Sequence, residues 1–376
     1  MVTVSRARNL LAALMLIRAA VALSGTTWYV DGLTGSDTNS CRSATAACHT
    51  IGHAISLTAS GDSIAVAAAT YMEHLVIRTS LNLRGSGAGT TIIDGGGNGG
   101  TVVGIYPGII VSIADMTIRN GRAPYFGGGV RNEGTLELIR IAIVDNYVIG
   151  LGLPAAGAGI YNDPGATLTL NDSTVAANHV SNTCHAPFYH GIPCWAYGGG
   201  ISNLGGMVLN NSTISGNTIP ATLNGGPSGV GGGIKGGGEL NNTTVARNSA
   251  NGGGGGIYGG TTVTQNSILA NNAGGNCGAG SIISSGFNLS SDATCQFAGP
   301  GDKNNADPKL GTLGNHGGPT ETIPLLAGSP AIDSGNPGGC TDSQGNLLKT
   351  DQRGMPRPDL EDKTGCDMGA YESQSD

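Results

Sequence analysis

The chain has 376 residues, of which 67 are glycine, and carries a formal net charge of −7 with 11% charged and 4% aromatic residues. That balance excludes the basic surface a nucleic-acid partner needs. Glycine at this level would mean disorder without a period to place the apolar residues, and a period is present.

In chain order, Arg6 and Arg8 precede the apolar run LLAALMLI, and the segment after Arg18 ends in small residues near Ser24. This pattern predicts a cleaved export signal over residues 1–24. It is a poor membrane span, because the apolar stretch is short and Arg18 interrupts it. No later segment has the character of a span, so the mature chain is expected outside the cytoplasm.

From residue 101 to about 300 one phrase recurs five times. The copies are GGGVRNEGTLELIRIAIVDN from Gly127, GAGIYNDPGATLTLNDSTVAAN from Gly157, GGGISNLGGMVLNNSTISGN from Gly198, GGGIKGGGELNNTTVARN from Gly231 and GGGIYGGTTVTQNSILAN from Gly254. Self-similarity of this kind means a solenoid, whose units bury their apolar faces only by stacking. The apolar runs are short, β-branched and bounded by Gly, Asn and Asp, so the units are strands. Aligning the copies puts Val130, Ile160, Ile201, Ile234 and Ile257 in one inward column. The closing asparagines Asn120, Asn146, Asn178, Asn217, Asn248 and Asn271 form another, suited to amide ladders at a left-handed corner. The predicted fold is all-β, a parallel β-helix.

Residues 301–376 form a distinct acidic module, with twelve acidic and six basic residues from Asp302 onward. It is turn-rich and expected to cover the last coil. Calcium there would fall to Asp351, Asp359, Glu361, Asp362 and Asp367, but a solvated acidic surface is the expected reading. The eight cysteines fall into four sequence neighbours: Cys41 with Cys48, Cys184 with Cys194, Cys277 with Cys295, and Cys340 with Cys366. An even count in an exported chain reads as disulfides, and distant coils of a rod never meet, so local pairing is expected.

These features resemble the secreted right-handed parallel β-helix repeat proteins of bacteria, in the broad pectate-lyase-like superfamily. The segment from WYVDGLTGSDTNSC to YMEHLVI is similar to their N-terminal cap, which implies a capping helix over His49–Ala59 within a region, 25–100, that also holds the first coils. The ending LGTLGNHGGPTETIPLLAGSPAIDSG, DQRGMPRP and CDMGAYE is similar to the C-terminal region of choice-of-anchor Q proteins. The chain departs from the anchored members in stopping at YESQSD without an apolar tail, so secretion or loose surface association is expected, as a monomer.

Function must come from the residues, since one fold hosts many activities. Alternation turns the side chain after each inward aliphatic outward, giving the row Arg131, Tyr161, Ser202, Lys235 and Tyr258. The longest insertions, 179–197 and 218–230, leave from the corner just before this row, and long loops on one face of a repeat array mark its working side. The central one holds His179, His185, Tyr189, His190, Trp195 and Tyr197. Rings and cations along a rod suit an extracellular, anionic polysaccharide, with Tyr161, His185, Trp195, Tyr197 and Tyr258 as contacts. The alternative is a polysaccharide lyase cleaving uronate chains by β-elimination. The resemblance implies Lys235 as its base, Arg131 or Arg247 on the carboxylate, His190 or Tyr189 as the acid, and calcium drawn from Asp145, Asp163 and Asp172.

Overall fold

The computed structural model describes residues 25–150, 154–181, 195–220, 229–359 and 365–374. Its repeat region is a solenoid in which each strand pairs in parallel with its counterpart one coil away. The strand after the glycine cluster stacks as Leu75–Ile77, Val103–Ile105, Val130–Asn132, Ile160–Asn162, Ile201–Asn203, Ile234–Lys235 and Ile257–Tyr258, here called the glycine-side sheet. The threonine-rich segments make a long sheet of seventeen strands. A short sheet of five runs through Arg122–Ala123, Tyr147–Val148, His179–Val180, Thr218–Ile219 and Ser249–Ala250.

The inward aliphatics form the core as the repeat requires. Val130, Ile160, Ile201, Ile234 and Ile257 stand in register and are at most 1% exposed. Leu138, Leu170, Leu209 and Leu240 do the same across the long sheet. One apolar cluster runs from Trp28 to Phe297. The all-β β-helix fold expected from the periodicity is the one observed.

Two columns of left-handed residues bend each coil. Asp115, Arg140, Asp172, Asn211, Asn242 and Asn266 fold the long sheet in the middle, and Asn120, Asp145, Ala177, Gly216, Arg247 and Asn271 turn it into the short sheet. The residue after this second column makes the amide ladder at Asn146, Asn178, Asn217, Asn248 and Asn272, and Asn276 ends it. Each Nδ2 donates to the next Oδ1 at 2.9–3.0 Å. Asn120 and Asn271 therefore sit one position earlier than expected: they supply the positive φ, and the ladder amides point inward from ordinary backbone. A second ladder links Asn132, Asn162 and Asn203 at 2.7 Å. Buried amides stacked this way satisfy their hydrogen bonds without water.

The rod is closed at its start by helix α1, Ile51–Leu57, which buries Ile51 and Ala54. It is shorter than the expected His49–Ala59, because Asp37 holds the backbone amides of His49 and Thr50 before the helix begins. Glu73 accepts from the first helical amides, Ile51 and Gly52, at 2.8 and 2.7 Å, and the negative charge there suits the helix dipole. Three expected disulfides are present, Cys41–Cys48, Cys277–Cys295 and Cys340–Cys366; the Cys184–Cys194 pair lies outside the described residues.

The C-terminal module does more than cover the last coil. It runs back along the outer side of the long sheet's second half, across four successive coils. Thr174 Oγ1 donates to the Glu321 carbonyl and Thr213 Oγ1 to Gln352, both at 2.6 Å; Thr244 Oγ1 accepts from the Ala370 amide at 3.0 Å, and Asn266 donates to the Asp367 carbonyl at 2.8 Å. The reason lies in the outward positions of that half-sheet, where Ala246, Ile268 and Ala270 would otherwise face water. They pack instead against Leu310, Ile323, Leu325, Ala331 and Met368.

Candidate functional site

The site is built by the glycine cluster. Gly127, Gly157, Gly198, Gly231 and Gly254 have φ of +63°, +63°, +56°, +70° and +55°, a region that glycine enters freely. A Cβ on Gly157 would stand 2.3 Å from the carbonyl oxygen of Ile160, so the bend is too tight for a side chain. It folds the strand position before the cluster, Phe126, Ala156, Tyr197 and Val230 in lateral register, against the outward row after it. That row is in register as expected, Arg131 beside Tyr161, Ser202, Lys235 and Tyr258.

The two columns meet as rings and a cation. Phe126 stacks on Tyr161 with centroids 4.6 Å apart, Lys235 Nζ lies 5.2 Å from the Tyr197 ring centre, and Trp195 lies parallel to Tyr197 at 6.3 Å. Tyr161 is only 8% exposed, so the half-buried Phe126 and its neighbour Tyr125 present the aromatic surface at that coil. Sequence reasoning left both out of the contacts, although PYF directly before a glycine cluster is the signal that would have found them. Ser202, between Tyr161 and Lys235 in the row, is buried.

The cations differ sharply. Arg131 is held by Asp163 and Glu133, each at 3.0 Å. Burial works against its charge, but these two carboxylates outweigh it and raise its pKa. Lys235 is half-buried, and burial alone pushes its ammonium below the usual lysine value; no carboxylate pairs with it among the described residues. Arg247 belongs to a different part of the fold. It occupies the left-handed corner and donates to the Leu310 carbonyl of the C-terminal module at 3.0 Å. His185, Tyr189 and His190 lie outside the described residues. On the neighbouring short sheet His179 bonds Thr218 Oγ1 at 2.7 Å and stands 5.7 Å from the Tyr147 ring; burial lowers its pKa and favours the neutral imidazole.

The carboxylates considered for calcium are not brought together. Asp163 is engaged by Arg131, Asp145 is at a corner, and Asp172 is half-buried against the module, where desolvation raises its pKa to about 6. Among the described residues the one cluster of metal-ligating side chains is Cys41, Cys48 and His53, and its two cysteines are joined to each other.

No family model matches the sequence, and no curated protein matches it. Solved structures do resemble it in shape. A pectate lyase, Pel9A, matches with a TM-score of 0.42 and 14% identity over 92% of this chain and 96% of its own. A pectin methylesterase mutant in complex with a hexasaccharide matches with a TM-score of 0.38 and 13% identity, covering 67% of this chain and 80% of its own. A GH136 lacto-N-biosidase from Eubacterium ramulus matches with a TM-score of 0.37 and 15% identity, over 76% of this chain and 62% of its own.

Proposed function

We propose that this is an exported, non-catalytic rod that binds an extracellular polysaccharide along the glycine-side row. The observation that carries the reading is Lys235, a half-buried cation with no carboxylate partner among the described residues, set on the Tyr197 ring and next in register to Tyr258. Aromatic rings offer flat apolar faces to sugar rings, and a cation desolvated over a ring is poised for an anionic group. Export is supported by the three disulfides and the signal-like first 24 residues.

The lyase reading has one specific point in its favour, the lowered pKa of Lys235, which suits a general base. Against it, both arginines considered for the substrate carboxylate are engaged elsewhere, Arg131 by Asp163 and Arg247 by Leu310. The test is to incubate the mature protein with uronate-containing polysaccharides, with and without calcium, while following ultraviolet absorbance of unsaturated sugar ends and retention on the same polymers. Binding predicts a flat trace, retention by the native protein and about tenfold weaker retention of Lys235→Ala, the loss expected for one charge-assisted contact. A rising trace abolished by Lys235→Ala would replace this reading with the lyase.

A further inference from the structure

The row is electrically lopsided. At its N-terminal end one cation, Arg131, faces two carboxylates, Asp163 and Glu133, so that end is acidic by one charge. From there to Lys235 the row itself carries no formal charge: residues 173–234 contain no Asp, Glu, Lys or Arg, and their histidines count as neutral at pH 7. This holds for the two long excursions on that stretch wherever they lie. The next position of the row, Tyr258, is again uncharged, and the nearest carboxylate along the chain, Glu239, lies in a different sheet, where burial raises its pKa.

Resting on the binding reading above, we infer that the row selects a polysaccharide of low charge density, with neutral sugars against Phe126 and one acidic group at Lys235, over a polymer bearing a carboxylate on every sugar. Successive coils are stacked about 4.8 Å apart. A chain lying along the row therefore spans the acidic pair and Lys235 together. A uniformly charged polymer that satisfies Lys235 must set other carboxylates against Asp163 and Glu133, and like charges so placed oppose association. A neutral polymer avoids the repulsion but leaves Lys235 without a counter-ion. The sparsely charged chain alone meets both ends.

Two charge-density series test this, methyl-esterified pectins and carboxymethylcelluloses, each from nearly neutral to fully charged, measured by affinity electrophoresis at low and high salt. The expected result is an affinity maximum at sparse charge in the series that binds, at least threefold above both extremes. The deficit of the dense polymer should shrink at high salt, because screening removes repulsion between exposed charges. Lys235→Ala should erase the advantage of sparse charge over neutral. The double variant Glu133→Gln, Asp163→Asn frees Arg131 and should move the maximum toward denser polymers, a gain that misfolding could not produce. Affinity that rises steadily to full charge, or a double variant that leaves the maximum in place, overturns the selectivity while leaving polysaccharide binding intact. Retention of neither series by the native protein overturns both.

Discussion

Gly157 and Gly165 separate what a glycine does for backbone conformation from what it does for space. Both have positive φ, but a Cβ on Gly157 meets the Ile160 carbonyl at 2.3 Å whereas one on Gly165 meets nothing within 4 Å. Gly165→Ala should cost only the left-handed penalty of about 1–2 kcal/mol. Gly157→Ala should cost more and lower Tm further, since the bend must open, and thermal melts of the two variants compare them directly. Equal losses would mean that the bend has room after all. At this scale the sequence was legible wherever a residue type answered one demand. The inward isoleucines, the row around Lys235 and the three observed disulfides follow from spacing and chemistry alone. The ladder slipped by one position at Asn120 and Asn271 because Asn suits both the left-handed corner and the stacked amide. Only hydrogen-bond geometry tells these roles apart.

Among the elements, the rod–module junction is where charge and burial conflict. Asp367 and Glu372 of the module lie by one fully buried guanidinium, Arg357, which reaches Glu372 at 2.8 Å and Asn211 at 3.0 Å, while Asp172 of the rod feels Arg140 more than Arg357. Asp351 occupies itself with Arg353 at 2.7 Å. Burial outweighs these cations and raises Asp172 and Asp367 to about 6 and Glu372 to about 7. An unfolded carboxyl titrates near 4, so the docked form holds protons that the unfolded chain releases between about pH 4 and 7. The stabilisation is thus present in acid and lost as pH rises through the folded values. Other carboxylates pull the opposite way at lower pH. Asp94 and Asp115 are buried, but the Gly96 amide with Asn120 and Arg119 on the first, and Arg140 with Arg84 on the second, keep their pKa values low. Stability should therefore peak between about pH 4 and 5, with Tm several degrees higher at pH 5 than at pH 8 in a thermal scan. Asp172→Asn, which keeps an acceptor for Asn211, should flatten the slope. A Tm that rises from pH 5 to 8 in the native protein would show that these carboxyls are ionised when docked. None of this was visible in sequence, because Asp172 and Glu372 are two hundred residues apart and only the docking of the module buries them together.

For the whole molecule, the lateral course of the module changes what its loss should do. A module that only plugged the end would leave the rod's side unaltered when removed. The observed one covers Ala246, Ile268 and Ala270 on the long sheet with Leu310, Ile323, Leu325 and Met368, and Gln352 ties Thr174 to Thr213 on adjacent coils at 2.8 and 2.6 Å. Truncation after Asn304 therefore bares an apolar stripe along the rod, and stripes of that kind drive association. The truncated protein should self-associate with rising concentration in light scattering coupled to size exclusion. Its dilute, monomeric fraction should still bind polysaccharide, because Tyr197, Lys235 and Tyr258 lie in other sheets than the one the module covers. Loss of retention in that fraction would mean that the module contributes to the binding surface. A truncated rod that stays monomeric at every concentration would mean that the covered stripe tolerates water. The half-sheet's uncharged outward residues make association the expected result, because once bared they offer water neither a charge nor a long polar side chain.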